Sequence, residues 1–278
     1  MSNTPIYGNY HGYYTKRPSA KDPRLSLLPS GIFRGARVLD VGCNEGWVTC
    51  EIAQYWGADK VVGVDIDDTL VRAAWRRRRT VWSLQAPSEP KVEGLGSEEG
   101  VISKKRKRES QAFLSEKSKL SLPDYFPMSC EHEFGSLPVP PSQNRGKQVF
   151  PHNISFRTAD WTSTEIPEDA ERYTVVIAFS ISKWIHLNTG DEGLKNFFRR
   201  VYQVLEPRGA FVLEPQAWDT YAKAKRMDER LKENAKDLKL RPDDFENILT
   251  SFGFGRAQHF GTTGEGGFRR PVDMFIKL

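Results

Sequence analysis

The 278-residue chain is poor in cysteine and has no long apolar run. Cys43, Cys50 and Cys130 form no C-x-x-C pair, which excludes a disulfide framework, leaves metal binding by cysteine unsupported and suits a reducing compartment. No stretch approaches the roughly 18 apolar residues of a membrane helix, and "MSNTPIYGNYHGYY" lacks a signal-peptide core, so neither a membrane span nor a secretory leader is expected. The G-x-G-x-x-G run of a dinucleotide site is also missing. What remains is a charged fraction of 28% with 12% aromatics and a formal net charge of +5, which suits a cored domain and permits an anionic partner without requiring one.

Two patterned blocks flank one without pattern. Over 38–84 and again over 153–278, short β-rich runs alternate with helical periodicity. Between them, over 86–150, Ser, Pro, Glu and Lys dominate, and such a stretch buries too little apolar surface to offset its ordering entropy. It is expected as a disordered insertion within one domain, 1–278, because neither flank completes a sheet alone. "ARVLDVG", "KVVGVDI", "NISFRTAD", "YTVVIAFS" and "GAFVLEP" read as strands. The last two, around "RAQHFG" and "VDMFIKL", are joined by a loop too short for a crossover and therefore pair antiparallel. Helices are expected after the first strand, with Val48, Ile52 and Tyr55 on one face, and over 67–84, capped by Asp67 or Asp68. Further helices fall where Leu194, Phe197, Phe198, Val201 and Leu205 share a face, near 217–238, and near 243–252. The class is α/β, a mostly parallel seven-stranded sheet with helices on both faces and a late antiparallel strand, and by analogy it resembles the layout of class I (Rossmann-like) methyltransferases.

In such a sheet the turn after the first strand lies at the ligand crevice, beside a helix N-terminus. That turn runs from Asp40 through Gly42, Cys43, Asn44 and Glu45 to Gly46. Only Gly42 and Gly46 are glycine, Asn44 tolerates the left-handed conformation, and Glu45 places a carboxylate where a pyrophosphate would sit. S-adenosyl-L-methionine carries an ammonium, a sulfonium and a carboxylate but no phosphate, so acidic strand ends such as Asp40 become useful. Asp65, ending the second strand, is placed for ribose hydroxyls. Asp160, ending the third, is placed for an adenine amine, with Ile66 and Trp161 flanking the base. Each aspartate could equally be a turn or cap residue taken alone.

The acceptor side is less determined. Tyr7, Tyr10, Tyr13 and Tyr14 precede Lys16 and Arg17, a combination that can hold a nucleoside and its phosphate or merely patch a tail onto the sheet. After the fourth strand, "SISKWIHLNTGDEG" is expected as a loop carrying Lys183, Trp184 and His186 to the crevice, and it contains no N-P-P-Y or D-P-P-Y run of the base-amine methyltransferases. A phosphate acceptor is already anionic at neutral pH, so no general base is required. Glu214 and Gln216, from "LEPQAW", either border the crevice or fix a turn.

"YGNYHGYYTKRPS", "VLDVGCNEGWVT", "VGVDID", "SISKWIHLNTGDEGL", "LEPQAW" and "FRRPV" together closely resemble the bicoid-interacting family of RNA methyltransferases, over nearly the whole chain except the insertion. The resemblance implies methyl transfer from S-adenosylmethionine to a 5′ phosphate of a small noncoding RNA, the γ-phosphate for capping members. It implies a donor site lined by Tyr7, Arg17, Gly42, Cys43, Asn44, Asp65, Ile66, Asp160, Trp161 and Phe179, with Arg17 on the methionine carboxylate. Tyr10, Tyr14, Lys183 and His186 are then expected at the RNA end, and residues 1–34 as a segment that covers donor and substrate. The basic run "KKRKR" at 104–108 agrees with nuclear residence, although a solvated linker explains it nearly as well. Two alternatives stand beside this reading: an RNA-binding scaffold within a ribonucleoprotein, motivated by the basic runs, and a small-molecule O-methyltransferase.

Overall fold

The computed structural model describes residues 4–16, 21–84, 128–144, 146–264 and 269–278. The chain divides into two units, one of Met1–Arg78 with Pro140–Leu278 and one of Arg79–Val139. In chain order the elements are α1 (Pro23–Leu27), β1 (Arg37–Val41), α2 (Trp47–Tyr55), β2 (Lys60–Asp65), α3 (Asp68–Ser83), α4 (Met128–Phe134), β3 (Ile154–Thr158) and β4 (Tyr173–Phe179). They continue with α5 (Ser182–Val204), β5 (Leu205–Glu214), α6 (Tyr221–Ala224), α7 (Glu229–Asn234), α8 (Phe245–Ser251), β6 (Gln258–Thr263) and β7 (Arg270–Ile276).

The first unit holds a seven-stranded sheet in the order β3-β2-β1-β4-β5-β7-β6. β1 is central and parallel to both neighbours, with Asp40 opposite Gly63 and Ile177. A strand covered on both faces has no solvent side, which is why "VLDV" reads as a nearly continuous apolar run. β7 is antiparallel to β5 and β6 is antiparallel to β7, as the short final loop requires. In-register pairing brings the C-terminal ends of the parallel strands to one edge: Asp65 lies opposite Thr158, and Phe179 opposite Glu214. That edge is where open α/β sheets bind ligands. The core below it includes Leu39, Val176, Phe197, Phe198 and Phe211, all fully buried.

Several local expectations are corrected. "SISKWIHLNTGDEG" is the start of α5, not a loop; the helix begins directly after β4, and the break that imitates a loop is confined to Gly190, at φ 71°. The polar segment 217–238 is a 3₁₀ turn, Trp218–Thr220, followed by α6 and α7. The interruption falls at Asp228, whose extended backbone and side chain, accepting from Arg230 N, start a new helix. Leu205 opens β5 instead of closing the helix, and Tyr55 of α2 is exposed while Val48 and Ile52 are buried.

Residues 85–127, with the run at 104–108, lie outside the described residues. The rest of the stretch expected to be without structure carries α4, a 3₁₀ turn at Ser142–Asn144 and the buried Phe150. Within the second unit, Ser136 Oγ donates to Glu131 Oε1 at 2.8 Å, and Leu137 N donates to Ser83 Oγ at 2.8 Å. Such side-chain bonds satisfy backbone that composition alone leaves unaccounted for.

Candidate functional site

The glycine turn after β1 has the left-handed backbone the sequence predicts, with φ 76° at Gly42, 51° at Asn44 and 74° at Gly46. A Cβ on Gly42 would lie 2.3 Å from Ile181 Cγ2, so both conformation and space demand glycine there. The turn is tied to β2, because Asn44 N donates to Asp65 Oδ2 at 2.9 Å and Asp67 N to Asp65 Oδ1 at 3.0 Å. Burial raises the Asp65 carboxyl to about 6, with those N–H groups pulling the other way.

Beside this turn opens a cavity of about 550 Å³. Of the residues singled out by sequence, Tyr7, Tyr10, Tyr13, Tyr14, Gly42, Asn44, Asp65, Ile66, Asp160, Trp161, Phe179, Lys183, Trp184 and Gln216 line it. Asp40, Cys43, Gly46 and His186 are not among its lining residues, and Arg17 lies outside the described residues. Asp40 sits in the central strand and accepts from Thr49 Oγ1 at 2.6 Å, within α2; burial raises its carboxyl to about 7. It anchors helix to strand and does not face the crevice. Asp160 is engaged in its own turn, its Oδ1 accepting from Thr162 N and Oγ1 at 3.1 and 2.6 Å. Trp161 belongs mostly to the core, edge-on to Phe197, with Arg200 over its ring at 4.4 Å and its indole N–H bonded to Asp169.

Residues 4–14 cross the cavity as a strap. Asn188 Nδ2 donates to Ile6 O at 2.8 Å, Asn9 Nδ2 to Asp67 Oδ2 at 2.7 Å, Asn44 Nδ2 to Tyr10 O at 3.0 Å, and Gly12 N to Glu45 Oε1 at 3.1 Å. Gly8 is required, since a Cβ would lie 2.2 Å from Trp184 Cδ1. Of the tyrosines, Tyr13 reaches Ser180 Oγ at 3.1 Å, whereas Tyr14 stacks on Trp47 and its buried hydroxyl accepts from Arg24 Nη2 at 3.2 Å. Burial raises the Tyr14 hydroxyl well above its usual range.

The opposite wall is cationic. Lys183, on the first turn of α5, donates from Nζ to Thr220 Oγ1 at 3.2 Å. Burial lowers its ammonium to about 8, Arg270 and Lys223 adding repulsion and Asp219 opposing it. Arg270, at the start of β7, also lines the cavity and donates to Ser180 Oγ at 2.5 Å. Beneath lies a buried ion cluster: Arg24 donates to Asp22 Oδ2 at 2.6 Å and to Glu214 Oε2 at 2.7 Å, and Glu214 accepts from Ser180 Oγ. Glu214 is a support, whereas Gln216 lines the cavity and its Oε1 accepts from Lys183 N at 3.2 Å. His186, one turn beyond Lys183, is fully buried. Its Nε2 is 2.7 Å from Asp191 Oδ1 and its Nδ1 3.2 Å from Tyr221 OH. The expectation that His186 meets the ligand is therefore corrected: although it shares a helix face with Lys183, its ring is buried between Tyr221 of α6 and Asp191 and does not line the cavity.

Arg24, Ser180 and Arg270 were missed by sequence reasoning. "FRRPV" was a signal for Arg270, but periodicity cannot tell which side chain of such a run turns inward.

Strand order, glycine turn and acidic strand end define the class I methyltransferase fold. Magnesium protoporphyrin IX methyltransferase from Synechocystis PCC 6803, solved with bound SAM, superposes with a TM-score of 0.50 at 15% identity, over 92% of this chain and 76% of that one. A general methyltransferase-domain profile matches residues 38–88, and the profile of Bicoid-interacting protein 3 (Bin3) matches 173–277. The U6 snRNA methylphosphate capping enzyme Amus of Drosophila melanogaster is 31% identical over 98% of this chain and 74% of its own length. The 7SK snRNA methylphosphate capping enzyme of Mus musculus is 38% identical over 98% of this chain, which spans 40% of that protein's length. The chain belongs to the Bin3 family.

Proposed function

We propose that the protein is an S-adenosylmethionine-dependent methyltransferase acting on the 5′ phosphate, the γ-phosphate where one is present, of a small noncoding RNA. The observation that carries the reading is the polarity of the cavity, with the buried carboxylate of Asp65 at the glycine-turn end and Lys183 and Arg270 at the other. Family membership and the substrates named for the Drosophila and mouse relatives support it.

The residues present fit the methyl donor. Asp65 offers an acidic strand end to ribose hydroxyls, Ile66 and Phe179 offer apolar walls, and the backbone of Gly42 and Asn44 allows close approach. When bound, S-adenosylmethionine supplies an electrophilic methyl carbon on a sulfonium. Lys183 and Arg270 hold the phosphate and fix which oxygen points at that carbon, and Tyr13 with Ser180 borders the same end. The attacking oxygen is already ionised, so catalysis reduces to orientation and charge placement. The strap of residues 4–14, part of a covering segment over 1–34, excludes water from the reacting pair. The basic run at 104–108 and an RNA substrate together favour residence in the nucleus.

The test is transfer of labelled methyl from S-adenosylmethionine to 5′-triphosphorylated RNA. Asp65→Ala is expected to weaken donor binding in calorimetry by about 1.5–3 kcal/mol, the worth of hydrogen bonds to a charged group. Lys183→Ala should raise the KM for RNA with donor binding unchanged. Absence of incorporation on triphosphate, monophosphate and hydroxyl ends alike would reject the reading.

A further inference from the structure

Two clusters of positive charge lie in the sheet-bearing unit, and they are not equivalent. The arginines of α3 are largely committed. Arg72 pairs with Asp68 at 2.5 Å, Arg77 lies over the Trp47 ring at 3.1 Å, and Arg78 donates to Pro151 O at 2.7 Å. Of the α3 arginines in this unit, Arg76 and Arg77 have no ion pair or hydrogen bond among the described residues, and of these two only Arg76 is exposed, Arg77 being covered by the Trp47 ring.

The segment around α6 is the reverse. Lys223, Lys225 and Arg226 are exposed, and their side chains have no ion pair or hydrogen bond among the described residues. The acids nearby are otherwise engaged: Asp228 caps α7 by accepting from Arg230 N at 2.9 Å, and Glu229 pairs with Lys232 at 3.0 Å. Asp219 acts on Lys183, favouring its charged form. Lys223, Ala224 and Met227 line the cavity, so the unpaired charges begin at its cationic end and run outward. Arg230 continues the line, donating to Asn188 Oδ1 at 2.8 Å and lying over the Tyr7 ring at 5.5 Å.

We propose that single-stranded RNA leaves the cavity over α6, its backbone phosphates held by Lys225 and Arg226 and continuing toward Arg230, and does not follow the arginines of α3. The inference rests on the proposed function for the identity of the chain that enters. Direction follows from the cavity's polarity. The phosphate end occupies the Lys183 and Arg270 side, while the β2 end, from which α3 departs, is taken by the donor. An RNA crossing to α3 would have to pass over the donor, whereas one leaving over α6 meets unpaired cations at once. Unpaired exposed cations are also the ones whose counterions an RNA backbone displaces without first breaking an ion pair.

The experiment compares Lys225→Ala/Arg226→Ala, Arg76→Ala and the wild type, in fluorescence anisotropy and in methyl transfer. Two probes are used, a 5′-triphosphorylated single strand of about 12 nucleotides, long enough to leave the cavity, and a 5′-triphosphorylated dinucleotide. The double variant is expected to bind the longer strand about five- to tenfold more weakly. It should also lower the slope of log affinity against log salt by about 1.4, at roughly 0.7 per single-strand phosphate contact. Its activity on the dinucleotide should stay at the wild-type value, which also reports correct folding, and Arg76→Ala should change neither probe. Equal affinity of wild type and double variant for the longer strand, or a larger loss in Arg76→Ala, overturns the proposal. Binding as predicted without methyl transfer by the wild type would leave the RNA path standing and bring down the proposed reaction instead.

Discussion

The two ends of the cavity are constructed differently. At the β1–β2 end the ligand-facing groups are backbone and strand-end carboxylates, set by a few consecutive residues whose conformation the local sequence dictates: Gly42, Asn44, Gly46 and then Asp65. At the Lys183 end every polar group depends on partners distant in the chain. Ser180 is held by Glu214, Arg270 and Tyr13, and Lys183 by Gln216 and Thr220. A site made of turns tolerates loss of remote side chains, whereas a site made of long-range pairs inherits the fragility of each pair.

The sharpest break in that contrast is at Arg24 and Glu214, which are buried and bridge residues 190 apart in sequence at 2.7 Å. Glu214→Ala leaves the guanidinium with one carboxylate, Asp22, and the neutral Tyr14 hydroxyl, and strips Ser180 of an acceptor. It is expected to cost about 3–5 kcal/mol of stability, the range for breaking a buried ion pair. The RNA end should suffer more than the donor end in protein that remains folded. Urea unfolding followed by donor calorimetry checks both parts, and a wild-type midpoint would show that the cluster is not a support.

A smaller effect is expected at His186. His186→Ala opens a cavity and removes the ring between Tyr221 and Asp191, at a cost of about 2–3 kcal/mol in thermal or urea unfolding. Activity loss should follow α6, whose Lys223 lines the cavity, and appear in KM for RNA, with donor affinity preserved. Burial holds the imidazole below its ordinary value of 6.5 even though Asp191 raises it. The unfolded chain therefore binds the proton more readily, and stability falls as pH drops below 6.5. The variant's stability curve should be flatter across that window.

Legibility from sequence divides along the same line. β1, its glycine turn and Asp65 could be read because each is encoded within a few residues, by apolar continuity, a positive-φ pattern and a strand-end acid. The antiparallel β7 could be read because its loop is too short to cross the sheet. His186 departs from expectation because a loop reading of "SKWIHLN" leaves every side chain free to face the crevice, whereas on α5 Lys183 lines the cavity and His186 is bonded to Tyr221 of α6. Asp40 was misplaced because strand alternation alone does not say which face of a central strand meets the ligand and which meets α2. Ser180 and Arg270 lie in quoted motifs and Arg24 in none, but no local pattern tells what any of the three contacts. Their roles exist only once β4, β5, β7 and α1 are assembled, and tertiary pairing is what a single sequence leaves unexpressed.

The mildest prediction separates the ends by titration. Burial together with Arg270 and Lys223 lowers Lys183 to about 8, so in the free protein its charge is lost as pH rises through that value. With RNA as the varied substrate, kcat/KM should fall along an alkaline limb centred near 8, because this ratio reports groups of the free enzyme. A phosphate held beside Lys183 favours the charged form, so the same limb in kcat must lie at higher pH. Lys183→Arg keeps its charge over the whole range and should abolish the limb even if its different shape lowers the rate. Donor affinity has no reason to follow, since Asp65 titrates at about 6 and remains ionised throughout. An alkaline limb shared by donor and RNA binding would mean that one ionisation governs both ends, and the division between a backbone-built end and a side-chain-built end would not describe how this cavity works.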